Sequence, residues 1–505
     1  MRVLWVSSEM APLCATGGLG EVSGALVPAL RERGLEVEVV LPLYARVRRR
    51  WSALGIRSPE PVQPLEFTLG GHRLRGRWLR GVGPGGVPMH LVDCPALYDR
   101  GGLYGAAGVA FPDNALRFSW FCRAAAHIAR TGAQQGRGYD VVHGHDWQAG
   151  LCPAILALET PEHAPPRPAL VHTIHNLAYL GTFPAESFPV TGFDWEQFRW
   201  QRLEYYGQVS YLKAALVYAD RITTVSPSYA REICTPAYGE GLEGLLLQRR
   251  EVLVGILNGI DTESWNPATD PEIAANYDAE DLTGKMVCRE ALRREFELEI
   301  PLERPVIGIV SRLVHQKGID LVLAALDELL AHDLGIVVLG TGEPELEGAV
   351  REAASRYEGR MAARIGYDEP LARRIFAGAD LVLIPSRYEP CGLTQMQAMR
   401  YGSPPIVRRT GGLADTVVPV ERDASGAGTG FVFEEPDPGQ LADAVARAVG
   451  LWHDRRSFRR LLRRCMEQDW SWDRSASRYA ALYDEVATER RGAAAGAPST
   501  GGAGV

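Results

Sequence analysis

Two histidine-containing motifs in the first half of the chain hold side chains that could bind a sugar. The motifs HGHDW (143–147) and HTIHN (172–176) each end an apolar, strand-like run. An imidazole can donate a hydrogen bond to a sugar hydroxyl, and it changes charge near neutral pH. One histidine at such a position is commonly a satisfied core or capping residue, but two clusters at one sheet edge converge. Together they indicate a site for a polar ligand.

A glycine-rich turn follows the first predicted strand and precedes a helical pattern. Its residues Thr16, Gly17 and Gly18 are small enough for backbone N–H groups to approach a phosphate at the helix N-terminus. The same pattern fits a tight turn that binds nothing, so both interpretations stay open. The turn lacks the GxGxxG fingerprint, which argues against a nicotinamide-dependent dehydrogenase.

Three strand-to-helix turns in the second half combine cations, an acid and glycines. The segment SRLVHQKG places Arg312 and Lys317 beyond a strand, where two fixed cations suit a diphosphate and would neutralise charge on a departing nucleotide. PSRYEPCGLTQ places Glu389 after another strand, where an acid can hold sugar hydroxyls while backbone amides meet phosphate. Together with RRTGGLADT these turns predict a nucleotide diphosphate. The other binding candidates in the last two turns are Gly392, Leu393, Thr394, Arg408, Thr410 and Gly411.

These motifs are positioned by two series of alternating strand and helix patterns. Short β-branched apolar runs followed by helix-like segments are typical of βαβ units around parallel sheets. The chain has 505 residues, of which 46% are hydrophobic, and this length exceeds what one core usually supports. The sequence therefore predicts an α/β protein with one domain over residues 1–252 and a second over 253–467. The Gly/Ala/Pro/Ser-rich tail over 490–505 is predicted to be disordered.

Charge and cysteine usage narrow the class of protein. The net charge of −8 comes from interspersed acidic and basic residues, which gives no footprint for nucleic acid or an anionic membrane surface. The chain shows neither a signal-peptide pattern nor about 20 consecutive apolar residues. Its eight cysteines are scattered without a metal-ligand spacing. We therefore expect a cytoplasmic protein without a disulfide framework.

Seven motifs, in this order, resemble the bacterial glycogen synthase and plant starch synthase family: SEMAPLCATGGLGEV, HGHDWQAGL, HTIHNLAYLG, LNGIDTESWNP, SRLVHQKGIDL, PSRYEPCGLTQ and RRTGGLADTV. The resemblance covers about residues 1–485. It implies a GT-B fold, with two Rossmann-like domains whose parallel sheets face each other across a deep interdomain cleft. A helix at 468–489 would cross back to the first domain.

The resemblance also implies an activity and its site residues. The family transfers glucose from ADP-glucose to the non-reducing end of an α-1,4-glucan with retention of configuration, in glycogen biosynthesis, without a metal or other cofactor. Asp146 and His175 would line the donor-glucose site. Arg312 and Lys317 would grip the diphosphate and stabilise the leaving ADP.

The resemblance implies further roles. Glu389 matches the essential acid, and Cys391 lies beside it near the sugar. Tyr367 resembles the aromatic residue that stacks on the nucleobase, and Tyr104 resembles a cleft tyrosine near the sugar or acceptor. Asn258 and Asp261 lie in the matching interdomain motif.

The chain departs from the family at Ala15, where the motif normally has a lysine that approaches the donor phosphates. The missing cation leaves the donor open between ADP-glucose and UDP-glucose. It also motivates the alternative of a catalytically impaired glucan-binding or regulatory homologue. Against that alternative stand the intact residues Asp146, His175, Arg312, Lys317 and Glu389.

Overall fold

The fold is described from a computed structural model that covers residues 1–106, 108–159, 166–420 and 426–495. The chain divides into two compact units. The first unit comprises Met1–Val225, Ala230–Ile256 and the C-terminal segment from Trp472. The second unit comprises Ser226–Tyr229 and Leu257–Ser471.

The first unit is built around a large sheet. The strands of this unit, including those of two small sheets, are β1 (Arg2–Val6), β2 (Glu36–Pro42), β3 (Glu60–Leu69), β4 (His72–Val82), β5 (Pro88–Asp93), β6 (Gly105–Ala106), β7 (Val109–Ala110), β8 (Val141–His145), β9 (Ala169–Ile174), β10 (Thr182–Pro184), β11 (Glu204–Tyr205), β12 (Gln208–Ser210), β13 (Arg221–Thr224) and β14 (Leu253–Gly255). The α-helices before residue 257 are α1 (Gly18–Glu32), α2 (Ala45–Ala53), α3 (Pro95–Tyr98), α4 (Asn114–Gln134), α5 (Leu151–Leu158), α6 (Tyr211–Tyr218), α7 (Pro227–Glu232) and α8 (Glu243–Gln248).

The main sheet has the strand order β14-β13-β9-β8-β1-β2-β5-β4-β3. Strands β14 to β5 along this order are parallel, and β4 and β3 add an antiparallel edge. Strand β1 pairs with β8, and β8 pairs with β9. All three are almost wholly buried, as expected of central parallel strands covered on both faces. Because parallel strands end at one edge, the segments after β1, β8 and β9 lie side by side.

The C-terminal helix α18 (Trp472–Ala495) belongs to the first unit and packs against α1. Its Tyr483 hydroxyl lies 2.6 Å from Nδ1 of His143, in the middle of β8. The helix continues over residues 490–495, which the sequence assigned to a disordered tail. The run RRGAAA explains the difference, because arginine and alanine are strong helix formers. The rest of that predicted tail, residues 496–505, lies outside the described residues.

The second unit contains a parallel sheet in the order β17-β16-β15-β18-β19-β20. The strands are β15 (Val306–Val310), β16 (Gly335–Gly340), β17 (Met361–Ile365), β18 (Leu381–Ile384), β19 (Pro405–Arg408) and β20 (Phe431–Phe433). The helices are α9 (Thr283–Glu295), α10 (Ile319–Ala324), α11 (Leu326–Leu330), α12 (Pro344–Arg356), α13 (Glu369–Gly378), α14 (Thr394–Arg400), α15 (Gly411–Thr416), α16 (Pro438–His453) and α17 (Arg455–Met466). The predicted α/β class with two parallel-sheet units is confirmed.

The described helices include none with the length and apolar character needed to cross a bilayer.

A buried ion pair fixes the strand β18 in the second sheet. The carboxylate of Asp380, just before β18, accepts bonds from Nε of Arg289 at 2.9 Å and from the backbone N–H of Val306 at 2.8 Å. The Arg289 side chain is only 6% exposed, and its other nitrogens donate to the carbonyls of Leu302 and Arg304. The pair therefore joins α9 to the starts of β15 and β18.

We predict that Asp380→Ala lowers the free energy of unfolding by about 3–5 kcal/mol, because it leaves a buried guanidinium without its counter-charge. The matched control is Glu290→Ala on α9, which removes an ion pair with Arg294 whose two side chains are 53% and 80% exposed. Such helical surface pairs contribute about 0.5 kcal/mol. Urea denaturation measures both losses, and equal losses would contradict the structural role of the buried pair.

Candidate functional site

In the first unit, a buried carboxylate holds the glycine-rich turn. Glu9 follows β1 and is 3% exposed. Its oxygens accept bonds from the backbone N–H of Thr16 at 2.5 Å, the Thr16 hydroxyl at 2.7 Å and the Tyr104 hydroxyl at 2.6 Å. Glu9 thus brings together two predicted site residues, Thr16 and Tyr104. Sequence reasoning did not select Glu9, although an acid three positions after the end of a buried strand is a usable signal.

The hydroxyl of the predicted site residue Tyr104 has a second partner besides Glu9. The hydroxyl of Tyr104 also lies 2.7 Å from Oγ of Ser8. Burial raises the pKa of Tyr104 well above its usual value, and the nearby charge of Glu9 adds to the rise. Tyr104 is therefore a neutral hydrogen-bonding group.

The glycines of the turn leave open space for a ligand. Gly17 caps α1, and both Gly17 and Gly18 are exposed. A Cβ added to either would meet no atom within 4 Å. The N–H groups of the first helical turn have no intrahelical acceptor, so this turn can receive an anion.

Asp146 sits at the end of β8 in a strained backbone conformation. Its φ of +51° lies in the left-handed region, which non-glycine residues adopt mainly where the surroundings impose it. The carboxylate accepts the backbone N–H of His175 at 2.7 Å, so the two predicted donor-glucose residues lie together. Desolvation raises the pKa of Asp146 to about 7. The charge of Glu9 also raises this pKa, whereas the hydrogen bond from the His175 backbone lowers it. This carboxyl group can exchange a proton at neutral pH.

The histidines of the two motifs differ in position. Nε2 of His175 lies 3.1 Å from Nδ1 of His145, and His175 is half-buried at the sheet edge. His143 is fully buried and contacts the hydroxyls of Tyr483 and Thr173, both at 2.6 Å. His143 is thus a satisfied core histidine, the plainer of the two interpretations of this motif.

Burial also keeps the histidines of this cluster uncharged near neutral pH. It lowers the pKa of His175 to about 3 and that of His145 well below the usual value. The expectation that the imidazoles change charge near neutral pH is therefore wrong for this cluster. Near pH 7 His175 is a neutral donor or acceptor, which suits a sugar hydroxyl.

In the second unit, the acid and one cation of the predicted site are paired. Lys317 follows β15, and Nζ lies 2.5 Å from Oε2 of Glu389, beyond β18. The Ser386 hydroxyl donates to the same oxygen at 2.9 Å. Because β15 and β18 are neighbours, the ends of the two strands bring these side chains together. Gly318 turns the chain beside them with φ +68°, and a Cβ there would lie 2.2 Å from the Pro385 carbonyl oxygen.

The second cation, Arg312, is exposed. Its guanidinium donates to the side-chain oxygen of Gln316 at 3.2 Å, and Gln316 in turn donates to the Tyr388 carbonyl at 3.1 Å. Within the described part of the chain Arg312 contacts this neutral amide and forms no ion pair, so its charge can bind an anion.

The glycine turn before α15 packs directly on the loop that carries Glu389. The backbone N–H of Gly412 donates to the Glu389 carbonyl at 3.0 Å. A Cβ on Gly411, which has φ +44°, would lie 1.9 Å from that oxygen. Thr410 caps α15 and is 1% exposed. Only glycine allows this close approach of the two loops.

Cys391 is a buried neighbour of the acid. Burial raises the pKa of its thiol to about 12, although the backbone N–H of Asn258 bonds the sulfur. Cys391 is therefore a neutral thiol and not a nucleophile near pH 7. Among the described residues, Oδ1 of Asn258 is a buried acceptor without a protein donor. Gly392, Leu393 and Thr394 follow, half-buried, at the start of α14.

Two predicted residues lie outside this group. Arg408 was expected in a cationic, anion-receiving turn, but it is 6% exposed and donates to the carbonyls of Ser386, Arg387 and Glu434. Its guanidinium positions the loop before Glu389, because buried carbonyls need donors. Tyr367 follows β17 with 87% of its surface exposed.

Comparison with known proteins gives separate evidence on the family of this chain. The family model described as starch synthase catalytic domain matches residues 2–248, and that described as glycosyl transferases group 1 matches residues 292–462. The glycogen synthase of Anaeromyxobacter dehalogenans strain 2CP-C is 48% identical over 497 residues, covering 96% of this chain and 100% of that protein. Glycogen synthase 2 of Geobacter sulfurreducens is 45% identical over 495 residues, covering 97% of this chain and 100% of that protein.

A solved structure agrees with these relatives. The catalytic domain of starch synthase IV from Arabidopsis thaliana, bound to ADP and acarbose, has a TM-score of 0.85 to this chain at 34% identity. The match covers 96% of this chain and 99% of that one.

The histidine cluster predicts loss of stability in acid. Burial holds the pKa of His172 at about 3, below its usual 6.5, although a hydrogen bond with the Asp146 backbone opposes the shift. Below pH 6.5 the unfolded chain binds a proton that the folded chain does not, so stability falls. Between pH 7.5 and pH 5 the loss is about 2 kcal/mol for each such histidine.

In His172→Asn the drop in the free energy of unfolding between these pH values should be smaller than in the native chain by about that amount. Urea titrations at both pH values measure it, with His72→Asn at an exposed position as the control. An unchanged pH dependence in His172→Asn would contradict the burial of a neutral imidazole.

Proposed function

The chain belongs to the bacterial glycogen synthase and plant starch synthase family of glycosyltransferases, and on this premise we propose that it elongates α-1,4-glucans with ADP-glucose as the donor. The predicted family, the GT-B fold and the glycosyltransferase class are confirmed by the relatives and the solved structure. This membership excludes the nicotinamide-dependent dehydrogenase. The donor base and the role of each side chain are part of the proposal.

The observation that carries the proposal is the pair formed by Lys317 and Glu389 at the ends of β15 and β18. A transferase that releases a nucleoside diphosphate needs a cation where charge develops and a hydrogen-bonding acid near the sugar. Lys317 with the exposed Arg312 supplies the cations. Glu389, oriented by Ser386, supplies the acid.

We assign the transferred glucose to Asp146 and His175. Both are half-buried at one sheet edge and are held together by a backbone bond. The neutral imidazole of His175 can donate to or accept from a sugar hydroxyl. Asp146, whose pKa is about 7, can accept a hydroxyl bond in its charged form. Positioning and charge stabilisation of this kind are the main protein contributions to such a transfer.

We base the roles of Tyr367 and Cys391 on their exposure and on their places in the fold. Tyr367 has an exposed ring that can stack on a nucleobase. Cys391 is a neutral, buried group that supports the loop of Glu389. The predicted cytoplasmic location is also part of the proposal, and it agrees with eight free cysteines, the form typical of a reducing compartment.

The donor is proposed as ADP-glucose because the family implies it and because the related starch synthase IV structure holds ADP. UDP-glucose is the second candidate, motivated by Ala15. A glucan-binding homologue without turnover is the third. The presence of Lys317 and Glu389, to which the family resemblance assigns roles in the transfer, disfavours the third candidate.

Incorporation of labelled glucose into glycogen distinguishes the three candidates. We expect kcat/KM with ADP-glucose to exceed that with UDP-glucose by about 10-fold or more, because a specific base contact is worth about 1.4 kcal/mol or more. The new linkage should be α-1,4. Preference for UDP-glucose would overturn the donor assignment, and glycogen binding without incorporation would overturn the enzyme assignment.

A further inference from the structure

The glycine-rich turn of the first unit carries no cation of its own. Between Met10 and Leu30 the chain contains neither lysine nor arginine, and position 15 is Ala15. The space over Gly17 and Gly18 is nevertheless open. A phosphate bound there would meet backbone N–H groups alone unless another element supplies a charge.

Helix α2 directs an arginine at this turn. Arg46 is the second residue of α2, and its side chain is half-buried. Its Nη1 lies 3.5 Å from the carbonyl oxygen of Ala15. The guanidinium therefore lies beside the backbone at the position where the family has a lysine side chain.

The surroundings of Cys14 agree with this position of the Arg46 charge. Burial raises the pKa of the Cys14 thiol to about 12, and the charge of Arg46 opposes this rise, more strongly than that of Arg50 one helical turn later. Both observations put the cation of Arg46 next to residues 14 and 15.

The charge of Arg46 is not consumed by a carboxylate. Among the described residues Arg46 forms no ion pair, whereas Arg48 on the same helix pairs with the buried Asp93 at 3.1 Å. A guanidinium has five N–H donors, and the long contact to Ala15 uses one of them. The remaining donors can form the paired bonds to phosphate for which arginine is suited.

We propose that Arg46 is a donor-binding residue that supplies, from α2, the phosphate-binding charge absent at position 15. The inference rests on the proposed function, because it takes the ligand of the turn to be the diphosphate of a nucleotide-sugar. The departure at Ala15 is then a relocation of the cation and not a loss of donor binding.

If Arg46 replaces the missing lysine, the effect of a substitution at position 15 on donor binding should depend on whether Arg46 is present. In Arg46→Ala the turn lacks a cation, so a lysine at position 15 should restore one. In the native chain an added lysine would share one phosphate with Arg46 and would experience its repulsion. The effect of Ala15→Lys should therefore be large only when Arg46 is removed.

The test is calorimetric titration of the full chain with ADP and, separately, with adenosine. We expect Arg46→Ala to weaken ADP binding about 10-fold, as for loss of one charge-assisted contact, and to leave adenosine binding unchanged. Arg46→Ala/Ala15→Lys should recover ADP binding to within about 3-fold of native, and Ala15→Lys alone should change it by less than about 3-fold. Arg49→Ala, an exposed arginine of α2, is the matched control and should bind as native.

Two results would overturn the inference: native ADP affinity in Arg46→Ala, or a loss that Ala15→Lys does not repair in a variant with native thermal unfolding. Glucose incorporation by the native chain separates this failure from that of the proposed function. If the native chain polymerises glucose while Arg46→Ala binds ADP normally, only the role of Arg46 is wrong. If the native chain neither binds ADP nor polymerises glucose, the proposed function fails together with the inference.

Discussion

The contact between Lys317 and Glu389 is the constraint on which the second unit's candidate site depends. A carboxylate that is 9% exposed requires a counter-charge or a set of donors, and Glu389 has both, from the ammonium and from Ser386. The contact exists because β15 and β18 are adjacent and parallel, so that loops far apart in the chain leave the sheet at one edge. The surrounding features maintain it: Gly318 allows the first loop to approach the second, Gly411 allows a third loop to pack on it, and Arg408 ties down the carbonyls before Glu389.

The pair also means that Glu389 and a donor diphosphate compete for the ammonium group of Lys317. The proposed function asks Lys317 to bind a diphosphate, yet its ammonium is engaged by Glu389 at 2.5 Å. A donor phosphate must therefore share or take over this cation, and Glu389 then needs other donors, which sugar hydroxyls can supply. Exchange of this kind links occupancy of the phosphate position to the hydrogen-bonding state of the acid.

The buried carboxylates of the first unit obtain their hydrogen-bond donors without a lysine. Glu9 is satisfied by neutral donors from Thr16 and Tyr104. Asp146 is satisfied in part by a backbone N–H, and its pKa rises to about 7 as a result of desolvation. The neutral histidines behind these acids, one of them bonded to Tyr483 of α18, make the integrity of this edge depend on the C-terminal helix and on pH.

Much of this arrangement could be predicted from the sequence, because polar residues directly after apolar, β-branched runs must fall at strand ends. Lys317, Glu389, Asp146 and His175 were placed in this way. Side-chain geometry could not be predicted, since it depends on contacts between distant segments. The charge state of His175 depends on how far neighbouring segments remove its ring from water, and the role of Arg408 depends on carbonyls up to 26 positions away. Arg46 could not be selected from the sequence, because it lies 31 positions after Ala15, the residue that it contacts.

The competition for Lys317 offers the most direct test of the proposed function. Glu389→Gln keeps the shape of the side chain and removes its charge, which frees the ammonium for phosphate. We predict that this variant binds ADP at least as tightly as the native chain, while glucose transfer from ADP-glucose to glycogen falls by about 100-fold or more. Transfer near the native rate, or weakened ADP binding in a normally folded variant, would contradict the assignment of the cation to the diphosphate and the acid to the sugar.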